Sequence, residues 1–375
     1  MPTSCSVIVK LAERCNLACP YCYMYAGEDQ SWRRRPKRLG PAEVDLLIDR
    51  AAELLDGDAE CELVLEFHGG EPLLFGIARF AAMMERLHAR LPAERVGYCL
   101  QTNGVLLDAA WCELFAANGV HWSISCDGPA ADHDRFRFDH AGRGTHAAVE
   151  RAIRLSLSRR EWRGYFGGVL GVIDPRADAG EIVRYFHGLG VRHLDLLLPD
   201  ATHVAPPAHL PGFDQPQLTR FLADAFAAWT ALDDRRFHLR TFEHMMKRFL
   251  GRAPELDAFG GGTDWLTVVE SDGSYQLLDV LHICGEAFTA TGGSLATRSL
   301  AEQFALQRAA SPSPCATCRA CPVFDICGGG YLPHRFTGTG FDAPSVHCES
   351  LYASIAMVGD FLRRSTPPEI WTTAA

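Results

Sequence analysis

The chain has 375 residues, 47% of them hydrophobic and 22% charged, with a formal net charge of -10. At about 100–200 residues per domain this length predicts two or three units, and the acidic balance argues against broad nucleic-acid binding, which needs clustered Lys and Arg. No segment reaches the roughly 18 uninterrupted apolar residues of a membrane helix, and the first residues lack a signal-peptide pattern, so a cytoplasmic protein without membrane contact is expected.

In chain order, short apolar runs alternate with amphipathic stretches. Strands are predicted over 6–11, 62–67, 97–102, 120–126, 167–173 and 193–199, and helices over 41–56, 77–91, 108–118, 145–159 and 179–189. Six strand-then-helix units imply a parallel sheet with crossover helices that closes part of a barrel. The Pro- and His-rich segment 202–216 reads as a linker, followed by helices over 217–232 and around 242–250. Ser271-Asp272-Gly273 between two apolar runs predicts a hairpin, which opens a second, cysteine-rich domain. The expected organisation is 1–200, a helical bridge over 201–262, 263–364, and a flexible tail over 365–375. The basic run Arg33-Arg34-Arg35-Pro36-Lys37-Arg38 reads either as a solvated loop or as a docking patch for an acidic peptide.

Fourteen cysteines in a chain expected to meet a reducing compartment point to metal or cluster ligation rather than disulfides. Cys5, Cys61, Cys99, Cys112 and Cys126 fall singly in or beside apolar segments, as small buried hydrophobes do. Cys15, Cys19 and Cys22 instead crowd a loop after the first strand. Three thiolates suffice for three corners of a [4Fe–4S] cube and leave one iron open, whereas a structural cluster normally has four cysteines. An open position marks a catalytic metal site; a zinc ion would need a fourth ligand, for which His68 is nearest. His68-Gly69-Gly70-Glu71-Pro72 ends the second strand, where two glycines would let backbone approach a ligand closely. Gln101-Thr102-Asn103-Gly104 and Ser123-Ile124-Ser125-Cys126-Asp127-Gly128 end the third and fourth, where barrel folds place their chemistry. Asn-Gly and Asp-Gly also form simple turns. Asp132-His133-Asp134-Arg135 and Arg143 precede a helix, either as a solvated loop or with an Arg placed to pair with a carboxylate. Farther on, Cys318, Cys321, Cys327 and Cys348 supply four thiolates, enough to close a cube or to hold zinc. Cys284 and Cys315 remain, either as spare thiols or within a further cluster that His282 or Glu286 would help complete.

The Cys15–Cys22 motif, with Tyr21 before its third cysteine, resembles the signature of the radical S-adenosylmethionine (SAM) superfamily. The resemblance implies that the open iron takes the amino and carboxylate groups of SAM, and that reduction cleaves SAM to methionine and a 5′-deoxyadenosyl radical. It further implies that Tyr21, Tyr23, Gly69, Gly70, Glu71, Pro72, Thr102, Asn103, Ser125, Asp127 and Arg135 line the SAM site, with Glu71 receiving the amino group. The second cysteine group resembles the SPASM extension of peptide-modifying radical SAM enzymes, where four such positions hold an auxiliary [4Fe–4S] cluster. Tyr331 stands where the full pattern has another cysteine. The implied fold is α/β, a partial (β/α)6 TIM-type radical SAM barrel with a C-terminal Cys-rich SPASM/twitch-like iron–sulfur domain.

The runs Cys327–Phe336 and Gly340–Cys348 look like those of FxsB-like maturases, which crosslink ribosomally made precursor peptides; related enzymes install three-residue cyclophanes. In that reading a side-chain β-hydrogen is abstracted and the carbon radical joins an aromatic ring. Asp279 or Glu286 takes the proton, the auxiliary cluster takes an electron, and an external donor supplies the reducing electron. The alternatives are sulfatase-maturase-type oxidation of Cys or Ser to formylglycine, thioether formation, epimerisation, and a non-enzymatic iron–sulfur or zinc scaffold. Only 14 residues precede Cys15, so no winged-helix leader module is expected, and the basic run at Arg33 becomes the candidate for leader recognition.

Overall fold

The computed structural model describes residues 4–207, 209–253, 256–259 and 265–366. Its strands are β1 (Ser4–Ala12), β2 (Glu62–Gly69), β3 (Val96–Thr102), β4 (Val120–Ser125), β5 (Phe166–Val172), β6 (His193–Leu197), β7 (His238–Leu239), β8 (Leu266–Val269), β9 (Ser274–Gln276) and β10 (Ala290–Ser294). All six expected strand-then-helix units are present. β1 is buried along nearly its whole length, as a strand covered on both faces must be. The helix Pro41–Gly57 starts on a proline, which suits its first turn, and buries Val44, Leu47, Ile48, Ala51 and Leu55 along one stripe. The helix Ala179–Leu189 is capped by the Asp178 side chain and ends on Gly190 in the left-handed conformation.

Two compact units divide the chain: Met1–Cys126, His133–Gly168 and Thr263–Ser311 form one, and Asp127–Asp132, Val169–Gly262 and Pro312–Ala375 the other. In the first unit, β1 pairs in parallel with β2 on one side and β8 on the other, and β2, β3 and β4 continue in parallel. The Asp272-Gly273 turn joins β8 to antiparallel β9, with Gly273 at φ +76°. β10 then pairs antiparallel with β9. Because β8 hydrogen-bonds to β1, the hairpin belongs to the first unit, and the segment expected as a 263–364 domain is divided at residue 311.

In the second unit, β5, β6 and β7 run in parallel. The segment expected as a linker is bound into this unit: His203 N donates to Phe336 O at 2.9 Å, and its ring meets Pro344 O at 2.8 Å. Asp214 then caps the helix Gln215–Leu232. The expected tail lies, from 367 onward, outside the described residues. Among the described residues no helix is long and apolar enough to cross a membrane.

Candidate active site

The loop carrying Cys15, Cys19 and Cys22 leaves the end of β1 and is held from two directions. Leu17 forms a bridge with Asp139, Ala18 N donates to Phe138 O at 2.9 Å, and His140 meets Cys15 O at 3.0 Å. From the end of β3, Asn103 Nδ2 donates to Asn16 Oδ1 at 2.8 Å and lies 3.6 Å from Cys15 Sγ. Cys22 opens the short helix Tyr23–Ala26, so the backbone N–H groups of Met24 and Tyr25 point at its sulfur. Burial nevertheless pushes the Cys22 thiol up to about 11, with the Cys19 charge adding to it. Cys15 is also pushed up, by burial first and then by Glu71, Cys22 and Cys19. Three half-buried thiols that repel one another as anions, yet receive N–H donors, suit a cationic iron–sulfur group that deprotonates them.

The ends of β2 and β3 are stitched together by Glu71. Its fully buried carboxylate accepts from Thr102 Oγ1 at 2.7 Å, Asn103 N at 2.8 Å and Leu73 N at 3.0 Å. Burial pushes it up to about 7 against those three donors. The glycines before it are tightly packed against the end of β1 and the loop after it. A Cβ on Gly69, at φ +143°, would strike Ala12 O, and one on Gly70 would strike Tyr25 Oη and sit 2.5 Å from Arg14 O. Gly70 N and Glu71 N then donate to Ala12 O and Arg14 O, fixing this corner against the cysteine loop.

The remaining expected SAM-lining residues are spread over both units. Ser125 Oγ accepts from Gln101 Nε2 at 2.8 Å at the end of β4. Asp127, in the second unit, receives Val172 N at 3.0 Å. Tyr21 meets the edge of Phe136 at 6.1 Å, and its ring lies 5.4 Å from the guanidinium of buried Arg137. Arg135 is exposed, and Arg143 is tied to Asp139 at 2.7 Å, so Arg137 is the buried guanidinium of this segment.

Beside Cys22, four polar side chains converge. Lys10, fully buried in the middle of β1, donates to Asp279 Oδ2 at 2.7 Å, and Tyr23 Oη donates to the same oxygen at 2.6 Å. His68 Nδ1 lies 3.2 Å from Lys10 Nζ and 4.0 Å from Asp279. Burial alone would push the Asp279 carboxyl up, but the Lys10 ammonium, His68 and the two hydrogen bonds hold it well below the carboxylate range. Burial and the neighbouring Lys10 push His68 down to about 4, so it is neutral. Lys10 carried its own signal in the sequence, since a charge inside an apolar strand has to be paired.

Behind this group, His282 sits between Asp29 at 3.2 Å and Glu270 at 3.6 Å, all three fully buried or nearly so. Burial would lower His282, but the two carboxylates raise it to about 9. It is thus a cation held between two carboxylates. Glu286 lies on the surface, paired with Arg34 at 2.5 Å with its side chain 52% exposed, away from the Asp279 group. In the basic run Arg33, Arg34, Lys37 and Arg38 are exposed, while Arg35 turns inward. Arg35, its side chain 9% exposed, lies 3.7 Å from both Glu270 and Asp272, Arg38 Nε donates to Leu74 O at 2.5 Å, and Arg33 lies over the Trp32 ring. Arg35 is the member of the run that meets the buried Glu270.

In the second unit, Cys318, Cys321, Cys327 and Cys348 lie within electrostatic reach of one another. Cys315 lies within electrostatic reach of Cys318, and Cys284 closes a short helix of the first unit. Burial pushes Cys318 up to about 12 and Cys327 to about 11, against the N–H groups of Gly329 and Gly330 at Cys327. All are free thiols. The donor chemistry again fits an iron–sulfur cluster, with four ligands from five sulfurs.

Residues 9–171 match the family model of the radical SAM superfamily. The matched residues carry the three thiols on the loop after β1 and the parallel strands β1 to β4, and the match indicates a radical SAM enzyme. It is 24% identical, over 93% of its length and 89% of the relative's, to a serine-type anaerobic sulfatase-maturating enzyme of Bacteroides thetaiotaomicron. It is 26% identical to a cysteine-type anaerobic sulfatase-maturating enzyme of Clostridium perfringens, over 88% of this chain and 89% of that one. Among solved structures, anSMEcpe with bound AdoMet and Kp18Cys peptide shares the fold at a TM-score of 0.83 and 22% identity, covering 96% of this chain and 99% of that one. Streptococcus suis SuiB bound to precursor peptide SuiA follows at a TM-score of 0.59 and 12% identity, over 93% and 76% of the two chains.

Proposed function

We propose that this enzyme oxidises a side chain of a peptide substrate, and that Asp279 takes the proton the substrate loses. The carrying observation is the Asp279 carboxylate: ionised, buried, and fixed by Lys10 and Tyr23, the residue next to Cys22. Cys15, Cys19 and Cys22 would hold the catalytic [4Fe–4S] cluster, which with SAM supplies a 5′-deoxyadenosyl radical when bound. Once a hydrogen atom and an electron are gone, the substrate is a protonated aldehyde or thioaldehyde, a strong acid, so even a carboxylate of depressed basicity can deprotonate it. Tyr23 Oη, on the same oxygen, keeps that carboxylate aligned. Lys10 keeps it ionised.

Loss of one hydrogen atom, one proton and one electron turns a serine CH2OH into an aldehyde. On a cysteine it yields a thioaldehyde, which water converts to the same aldehyde and hydrogen sulfide. The sulfatase-maturating relatives support this reading of the substrate, a Cys- or Ser-containing peptide in a cytoplasmic setting. A second reading, an aromatic ring C to Cβ crosslink of cyclophane type, is favoured by Tyr331 at the fourth SPASM position and by the run from Cys327 to Cys348; it also loses two hydrogens.

Anaerobically reconstituted protein with SAM, a reductant and a Cys- or Ser-containing peptide separates the readings. Aldehyde captured by a hydrazide, in step with 5′-deoxyadenosine, supports the first. A product two hydrogens lighter that no hydrazide captures supports the crosslink. A protein that makes no 5′-deoxyadenosine refutes both and leaves a scaffold.

A further inference from the structure

His282 is fully buried, and the proposed reaction does not use it. It stands one turn after Asp279 on the short helix Asp279–Cys284, a 3-10 helix. Such a helix has three residues per turn, so the Asp279 and His282 side chains leave the same face, one above the other. Asp279 meets Lys10 and Tyr23. His282 Nδ1 lies 3.2 Å from Asp29 Oδ2, and Nε2 lies 3.6 Å from Glu270 Oε1.

Both carboxylates are fixed in turn. Asp29 accepts from Ser31 N at 2.7 Å and from Thr289 Oγ1 at 3.1 Å, and its own N donates to His282 O at 3.1 Å. Glu270 follows β8, where its N donates to Ser274 O at 2.9 Å and its O accepts from Gly273 N at 2.8 Å. Asp29 belongs to the segment that leaves Tyr23, and at Gly27 this segment is pressed against His282: a Cβ there would sit 2.8 Å from His282 O and 3.0 Å from Tyr23 O. The segment carrying Tyr23 and the helix carrying Asp279 are thus drawn together around His282. Runs of this helix type beyond three or four residues are uncommon, because their hydrogen bonds are poorly aligned. At 6 residues, this one needs such outside contacts to hold its place.

We propose that His282 is a positioning residue for the reaction: held by Asp29 and Glu270, it fixes the helix that carries Asp279, so that the Asp279 carboxylate keeps its place beside Tyr23 and Lys10. The proposal rests on the reading that Asp279 takes the proton the substrate loses. Misplacing a reacting group by about 1 Å costs on the order of 10²-fold in rate. Hydrogen abstraction comes before the proton transfer and does not use Asp279. Loss of the hold on this helix therefore uncouples the two, with SAM still cleaved and little peptide product formed.

The test uses the reconstituted full chain with SAM, a reductant and the Cys- or Ser-containing peptide. Peptide product per 5′-deoxyadenosine is measured together with iron content and melting temperature. His282→Gln should lower that ratio by about tenfold or more at the parent's iron content. Gly27→Ala keeps every charge but presses on His282 O, and should lower the ratio in the same direction. Leu47→Ala removes a fully buried side chain from the helix Pro41–Gly57, and should lower the melting temperature while the ratio stays at the parent's. A parent-like ratio in His282→Gln overturns the proposal, and so does an equal fall in Leu47→Ala, which would make the effect one of general stability. If His282→Gln does not fold or loses its iron, Gly27→Ala decides by the same criterion. Asp279→Asn is measured alongside. If it keeps the parent's ratio, or if the parent makes no product, the reading of Asp279 as the base is what fails. The hold on the helix is then read from amide exchange over residues 279–284: faster exchange in His282→Gln but not in Leu47→Ala supports it, and unchanged exchange overturns it.

Discussion

Replacing Asp279 with Asn separates proton acceptance from everything before it. Lys10 is fully buried and Asp279 is its direct anionic partner at 2.7 Å. Breaking a buried pair from one side costs about 3–5 kcal/mol, because the remaining charge is left uncompensated. Asn keeps one acceptor oxygen for the two donors, Lys10 Nζ and Tyr23 Oη, which places the loss near the lower end of that range. The chemical effect should be larger: removing a positioned acid–base group lowers the rate by about 10²–10⁴. Peptide product and 5′-deoxyadenosine are quantified together, with denaturant midpoints measured alongside. The expected outcome is SAM cleavage that continues while product per cleavage collapses. Adding Lys10→Met removes the stranded charge and should recover most of the stability, but none of the product. Wild-type product per cleavage in a folded Asp279→Asn protein, or its return in the double variant, would refute the role of Asp279.

Three further outcomes follow from the same geometry. Gly70→Ala forces a Cβ onto Tyr25 Oη and Arg14 O, and should cost about 1–3 kcal/mol and reduce iron bound at the Cys15 loop; Gly57→Ala, with no atom within 4 Å, is the neutral control for the iron assay. Arg35→Ala strips a largely covered cation from buried Glu270 and should lower stability by about 3 kcal/mol, whereas Arg34→Ala, on an exposed pair, should leave it unchanged. If Arg34→Ala instead abolishes peptide binding at unchanged stability, a docking role for the basic run returns. His282 is raised from 6.5 to about 9, so the stability it contributes is full below pH 6.5 and lost as pH rises through 9. Glu13, pushed up to about 8 by burial and then Glu270, acts in the same direction over its upper range. Melting temperature should therefore fall between pH 6.5 and 9, by the equivalent of about 3 kcal/mol from His282 at most, and His282→Gln should flatten the slope. A wild-type curve that is level across this window contradicts the pairing.

Much of the fold was legible because it is local. Runs of Val, Ile and Leu at 6–11 and 62–67, the apolar stripes of 41–56 and 179–189, and the Asp-Gly turn at 272–273 each report on a few neighbouring residues, and each was found where it was read. The spacing of Cys15, Cys19 and Cys22 was legible for the same reason, since three ligands on one loop need no distant partner. What spacing does not carry is the partner of a charge. Lys10 meets Asp279 across 269 residues, and Arg34 meets Glu286 across 252. These contacts depend on β8 joining β1, which delivers the segment after the hairpin to the cysteine loop.

The same gap explains the readings that changed. Gly69 and Gly70 are glycines because backbone from the end of β1 presses on them, and Glu71 is a carboxylate because Thr102, Asn103 and Leu73 converge on it. A motif shows residue types, but not which neighbour demands them. Glu286 and Asp279 were equal candidates as bases in the sequence; burial and two donors separate them in the fold. Cys315 stood apart by spacing, yet it lies within electrostatic reach of Cys318. By itself the sequence determined the chemistry on offer, three thiols on a loop, four more near the end and a parallel scaffold. Only the tertiary structure decided which charges are buried together, because burial and pairing are properties of distant segments brought into contact.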